Sequence, residues 1–483
     1  LMYVFTMQHG IGISPDSIFY SSTAENLYNG NGFVSFTQKP LVDYPLFYPL
    51  FLSAVMFITK HTILQFAPLL NSFLFALVVC ITGWIIEKFT DSSKPYKWIV
   101  LSILVFSPSL IEIYSMLWSE TVFILLSLLF FIAARNYYHH HSVSRLFILS
   151  FITAIAFVTR YAGITFVGAG GLLILFNIKS GLPKKIYHLF LFVITAISLA
   201  TLNLMRNAVI TGTAAGKRQA GITPLLKNLN YFGSVMCDWL SILREHYTLA
   251  IIIGIIILLV FGILFFVLHF SSSYYHSYEK IITAFFLVYT GFILVSSTLS
   301  RYEIINNRLL APAFIPFILI SGFIIHTLFK KIQVRWGQAI GIIAIGVFFL
   351  AFQYHQYIFD KQYYRDIVED GIPGYTEGFW KSAPIVQLIQ KDTLLQKHAN
   401  RFFSNRNHAV YFFTGKKTET VPEKVHYREV KNFYTKTDFY IIWFLEDDNP
   451  DLLSIQEIKQ HKKMDTVTAV KDGIIFHCTD YSK

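Results

Sequence analysis

Apolar runs of about 15 to 23 residues recur through the first 356 positions, and nothing else in the chain constrains its fold as strongly. A backbone in hydrocarbon must satisfy its own N–H and C=O groups, so runs of this length become helices. The candidate spans are 64–86, 98–116, 119–136, 145–159, 162–177, 186–204, 248–270, 281–299, 308–329 and 338–356. Leu1–Met7 reads as the tail of a further helix, which makes about eleven; a cleaved signal peptide is the alternative. Spans 145–159 and 162–177 fall short of the roughly 20 residues a perpendicular crossing needs. Composition agrees: 14% of residues are charged, against roughly 25% in soluble domains, and mean hydropathy is +0.50. A soluble globular protein is excluded.

The net charge of +11 therefore reports orientation before it reports a nucleic-acid partner. Lys88, Lys94, Lys97, Arg135, Arg145, Lys179, Lys184, Lys185, Lys330, Lys331 and Arg335 all fall in loops on one side. By the positive-inside rule that side is cytoplasmic. The alternation holds if Pro45–Thr59 is an interfacial or re-entrant segment that does not cross. The polar stretch His9–Tyr44 then lies outside, so residues 9–60 form a first outer loop carrying Asp16, Glu25 and Asp43. Glu25 reads as solvated on an amphipathic helix, and Asp43 as a turn residue before Tyr44-Pro45.

Residues 357–483 change character. Charges become frequent and apolar runs shorten to strand length at Arg401–Ser404, Asp438–Phe444 and Gly473–Cys478, with helical patterns at Ala383–Gln390 and Leu452–His461. The expected organisation is a polytopic α-helical membrane domain, 1–356, followed by a small extracytoplasmic α/β domain, 357–483. Cys80, Cys237 and Cys478 have no metal-ligand spacing, although a Cys237–Cys478 pair is open. The run His139-His140-His141 reads as a solvated basic loop rather than a metal site, since no carboxylate or Cys adjoins it.

Cations on the outer face run against the orientation bias. Arg160, Arg206, Lys217, Arg218, Arg301 and Arg308 gather there, several at span ends. Ionisable groups at that depth usually face a cavity or a partner. Snorkelling explains any one of them about as well, but explains the whole set less well. Convergent guanidinium groups suit phosphate, which they bind through bidentate charge-assisted hydrogen bonds. Gly212–Arg218 lacks the Lys-Ser/Thr ending of a nucleotide phosphate loop, so no nucleotide site is assigned. Of the acids, Asp16 follows the first span, and Glu120 opens 119–136 with Glu112 shortly before it. Glu120 is a second acid or simply a first-turn residue behind an N-cap Ser119.

These pieces, in this order, resemble the C-type membrane glycosyltransferases, above all the branch of protein O-mannosyltransferases, aminoarabinose transferases and their bacterial relatives in glycosyltransferase family 39. The matching stretches are Pro15-Asp16-Ser17, Ala24-Glu25-Asn26-Leu27, Gly30-Asn31-Gly32-Phe33, Tyr44-Pro45, Tyr48-Pro49-Leu50, Ser107-Pro108, Ser119-Glu120-Thr121, Thr159-Arg160-Tyr161, Met205-Arg206-Asn207 and Arg308-Leu309-Leu310-Ala311-Pro312. They cover about residues 9–320. The resemblance implies an inverting transfer of a sugar from a polyprenyl-phosphate donor to a lipid, glycan or protein acceptor at the outer membrane face. Asp16 would be the base and Glu120 a second acid. Arg160, Arg206, Arg218 and Arg308, with Arg301 and Lys217 beside them and Tyr161 adjoining, would hold the donor phosphate. Two departures stand out: no Asp-x-Asp in the second outer loop, and Asp43-Tyr44-Pro45 where a doubled Pro is common. No metal ligand is assigned, and a divalent cation as helper is left open. An O-antigen-type polymerase or ligase, or a flippase of lipid-linked sugars, is the competing reading; a flippase calls for charges deep in mid-span.

Overall fold

The computed structural model describes residues 1–216, 219–242, 247–301, 303–331, 335–391, 401–446 and 449–481. Helices dominate as far as Asp370. In order they are α1 (Met2–Thr6), α2 (Pro15–Tyr28), α3 (Phe47–Thr59), α4 (Ile63–Glu87), α5 (Lys94–Val105), α6 (Pro108–Ser115), α7 (Glu120–His140), α8 (Val143–Thr159), α9 (Ile164–Leu175), α10 (Leu182–Thr211), α11 (Leu225–Trp239), α12 (Tyr247–Phe270), α13 (Tyr278–Leu299), α14 (Asn307–Lys330) and α15 (Arg335–Asp370). Among the described residues, 7 helices are long and apolar enough to cross a membrane, or 8 if α5 and α6 count as one bent span.

The departures from expectation have local causes. The run 98–116 breaks because Ser107 caps a new helix and Pro108 opens it, bending α5 against α6 by 48°. The runs 145–159 and 162–177 form α8 and α9, of 17 and 12 residues, separated by a single 3-10 turn at Tyr161–Gly163. The last apolar helix does not stop near 356 but continues to Asp370. All three cysteines are free.

The chain divides into two compact units. One comprises Leu1–Phe5, Val42–Phe51 and Phe66–Arg365; the other comprises Thr6–Leu41, Leu52–Gln65 and Asp366–Lys483. Within the first, α7, α13 and α14 are the most deeply buried of the long apolar helices, with Phe285, Phe286, Leu310, Phe317 and Ile320 in the interior. α11 meets α12 closely enough that a Cβ on Gly233 would stand 1.8 Å from the Ala250 carbonyl oxygen. Small residues serve such approaches in membrane bundles.

In the second unit a five-stranded sheet has the order β2-β1-β3-β5-β4. Its strands are β1 (Arg401–Ser404), β2 (Glu419–Thr420), β3 (Phe439–Phe444), β4 (Lys463–Val470) and β5 (Gly473–Thr479). β1 pairs in parallel with β2 and β3, and β5 pairs antiparallel with β3 and β4. Phe403, Phe433, Phe439, Ile441 and Phe476 form its core. Sequence patterning finds β1, β3 and β5 and misses the other two. β2 has only two residues, and β4 is an edge strand with most of its side chains in solvent. The expected helices appear as Pro384–Lys391 and Ile455–Lys459, the latter shortened because Ser454 and Glu457 form a capping box.

The opening polar stretch belongs largely to this same unit. The Tyr375 N–H donates to the Ile13 carbonyl at 2.8 Å, and Lys39 pairs with Glu419 at 3.3 Å. The sequence alone gives no reason to join the two.

Candidate active site

Three helix ends meet around Glu120, all within the first unit. α7 begins at Glu120, α8 ends just before Arg160, and Arg308 lies in the first turn of α14, where Asn306 caps the helix by accepting the Leu309 N–H at 3.0 Å. The loop before Glu120 is pinned from α4: buried Asn71 donates to the carbonyls of Tyr114 and Met116 at 2.9 and 2.8 Å.

Glu120 is 0% exposed and makes two ion pairs. Arg160 Nη1 stands 2.7 Å from Oε2, and Arg308 Nε 2.7 Å from Oε1. Ser119 does not cap α7 with its side chain; its hydroxyl accepts from Arg160 Nη1 at 2.9 Å and donates to Glu120 Oε2 at 3.5 Å. Glu120 is thus the first-turn acid of α7 and, beyond that, a charge shared between two arginines. The Arg308 guanidinium also lies over the Trp118 ring, 4.2 Å from its centre, a cation–π contact. A polar relay continues outward from the neighbouring residue. Asn307 donates to Glu112 Oε2 at 2.7 Å and accepts from Trp239 Nε1 at 3.0 Å.

The other expected site residues have different partners. Arg206 Nη1 donates to Asn207 Oδ1 at 3.0 Å, and Arg301 Nη1 to Gln219 Oε1 at 2.8 Å. Tyr161 and Asn207 both donate to the Val42 carbonyl, at 3.3 and 3.1 Å, which fixes the segment that carries Asp43. Asp43 borders the Gly212–Gly216 loop, where a Cβ on Gly216 would come within 2.1 Å of its carboxylate. Lys217 and Arg218 lie outside the described residues.

Asp16 sits in the second unit, in the first turn of α2. Ser14 and Ser17 cap one another's backbone there and Pro15 opens the helix. Its carboxylate acts on His408 of the C-terminal helix Asn407–Thr414. The His408 ring lies 5.2 Å from that of Phe19 and 5.5 Å from that of Phe36. Burial holds His408 down at about 4, with Asp16 pulling the other way. Glu25 is partly buried rather than solvated, and that burial holds it above the usual carboxylate range.

Sequence reasoning missed Asn71, Asn207, Asn307, Trp239 and His408. Only Asn207 and Asn307 carried a signal, as amides beside arginines at span ends.

No protein-family model and no curated protein sequence matches the chain. Solved structures do. ArnT from Cupriavidus metallidurans bound to undecaprenyl phosphate superposes with a TM-score of 0.60 at 9% identity, over 99% of this chain and 96% of that one. The Archaeoglobus fulgidus oligosaccharyltransferase tethered to an acceptor peptide matches with a TM-score of 0.51 at 10% identity, over 90% of this chain and 66% of that one. The chain therefore shares its fold with ArnT and with the oligosaccharyltransferase.

Proposed function

We propose that the chain is an inverting glycosyltransferase, moving one sugar from a polyprenyl-phosphate donor to a hydroxyl of a lipid, glycan or protein acceptor. The observation that carries this reading is the buried carboxylate of Glu120 holding Arg160 and Arg308 together at the ends of three helices. Likeness in fold to an enzyme solved with undecaprenyl phosphate bound supports it. In this reading the chain crosses a plasma (inner) membrane about eleven times, with α8 and α9 as short crossings. The first outer loop, the arginines and the sheet domain then lie on the extracytoplasmic side.

Chemically, Asp16 takes the proton of the acceptor hydroxyl as its oxygen attacks the anomeric carbon. The bond from that carbon to the phosphate oxygen breaks with inversion, and the electron pair leaves on the phosphate. Arg160 and Arg308 stabilise the charge developing there, oriented beforehand by Glu120 so that little reorganisation is needed. Arg206 and Arg301 add positive potential, a part that the sequence also assigns to Lys217 and Arg218. This gathering of charge at one end of the spans favours transfer over flipping.

The test uses the purified full chain with a panel of polyprenyl-phosphate sugars, with and without chelator, so that dependence on a divalent cation is read in the same assay. Release of polyprenyl phosphate is expected from the wild type. Asp16→Asn should abolish release while donor binding persists. Full turnover in Asp16→Asn overturns its role, and binding without release by the wild type under every donor favours the flippase.

A further inference from the structure

At the far end of the bundle from Glu120, the His139–His141 run joins two other loops in a basic cluster that the proposed reaction does not use. α7 is 21 residues long, so at ~1.5 Å per residue this end lies about 30 Å from Glu120. Tyr275 is the hub. Its hydroxyl donates to Asn177 Oδ1 at 2.9 Å and accepts the Ile178 N–H at 2.6 Å, which locks the loop after α9 onto the loop before α13. Asn177 in turn donates to His141 Nδ1 at 3.1 Å. Lys179 Nζ donates to His276 Nε2 at 3.0 Å, and the His276 ring stacks on His139 at 5.2 Å. Beneath them Lys280 is 0% exposed; it donates to the Tyr275 carbonyl at 3.1 Å and lies 3.8 Å from the centre of the Tyr275 ring.

Every group in this knot that can carry charge near neutral pH is basic. The acids at the same end have other neighbours: Asp91 pairs with Lys330, Glu87 with Lys97, and Glu279 accepts the Thr90 N–H through Oε1 while its Oε2 is buried without a hydrogen-bond partner among the described residues. Among the described residues, no carboxylate pairs with Lys179, Lys280, His139, His141 or His276. Two further observations show the imbalance. His276 Nδ1 is buried without a hydrogen-bond partner among the described residues. Burial, then the adjoining Lys179, His139, His141 and Lys280, pushes His276 down to about 4. Around the cluster, Phe176, Ile178, Leu182, Ile186 and Phe270 present exposed apolar side chains.

We propose that this cluster, centred on Lys179 and His276, binds the phosphate headgroup of an anionic phospholipid. Its missing counter-charge would be the phosphate, and the exposed apolar side chains around it would carry the acyl chains. A soluble anion has no use for that apolar border, which is why the lipid is preferred. Basic pockets between helices at the cytoplasmic boundary bind such headgroups, each surface cation contributing about a five-fold gain in affinity.

The experiment is native mass spectrometry of the full chain in detergent, titrated with phosphatidylglycerol, phosphatidylcholine or inorganic phosphate. Wild type should retain phosphatidylglycerol at least about five-fold more tightly than phosphatidylcholine. Lys179→Ala, at an exposed side chain whose loss leaves the packing intact, should remove most of that preference, and adding His276→Gln the rest. Lys179→Arg should keep it. Lys330→Gln, which removes a cation at the same end that already has Asp91 as its partner, should also keep it. The proposal is overturned if the two lipids bind equally, if Lys330→Gln costs as much as Lys179→Ala, or if inorganic phosphate displaces phosphatidylglycerol at equal concentration.

Discussion

Glu120 is completely buried between two guanidinium groups, so removing it strands both. Breaking a buried ion pair by deleting one partner typically costs about 3–5 kcal/mol, because the remaining charge keeps its desolvation penalty. Glu120→Ala should therefore lower unfolding stability by about that amount, measured by thermal or denaturant unfolding in detergent. A loss under about 1 kcal/mol would show that water reaches the triad and screens it. His408 gives a second test with a definite sign. Its folded value, near 4, lies below the unfolded value of roughly 6.5. The unfolded chain therefore binds more protons between those values, and stability is full above about 6.5 and falls as pH drops towards 4. His408→Phe keeps an aromatic ring against Phe19 and Phe36 and should flatten that part of the pH–stability curve. Wild-type slope in the variant would remove His408 as the cause. The sequence marks Glu120 as an acid at a span end and Arg160 and Arg308 as misplaced cations. It does not say that they share one carboxylate, because Arg308 is 188 positions away from Glu120 and chain spacing carries no information at that range.

Helices were readable because hydrophobic length sets them, whereas their ends and joints depended on single residues. Ser107-Pro108 was visible as a motif, yet its effect, a 48° break in an otherwise apolar run, appears only in the structure. Close approach is still less legible. Gly233 looks like any glycine in an apolar helix until Ala250 is found against it. Gly233→Ala should force α11 off α12, destabilising the chain by about 1–3 kcal/mol, the usual range for overpacking. Gly262→Ala is the control, since a Cβ there meets nothing within 4 Å. Equal unfolding midpoints for the two variants would mean that the α11–α12 contact yields freely. In the sheet domain the apolar strands were legible and the polar edge strand β4 was not, because one solvated face leaves no continuous apolar run to detect.

Orientation is a property of the whole molecule, and it is open to direct test. With Cys80 replaced by Ser, a cysteine at exposed Asn29 should react with an impermeant thiol reagent from outside intact cells. One at exposed Ser92, in the loop with Asp91, should react only after lysis. The reverse pattern would invert the topology and place the basic cluster outside. The sequence by itself determined that this chain is mostly long apolar helices with a small region of mixed helix and strand towards its C-terminus, since hydrophobic length and the frequency of charge are local properties that survive without coordinates. It also singled out Glu120, Arg160 and Arg308 as charged residues at the ends of apolar runs, because charge at a run's end is a local property too. Only the tertiary structure decided which of them touch. It gave both arginines to Glu120, bound the opening stretch into the unit that holds the sheet, and linked His139 to Lys179 through His276 and His141 to Tyr275 through Asn177. Those pairings are set by packing between segments far apart in the chain, where desolvation makes each partner matter and no periodicity records the choice.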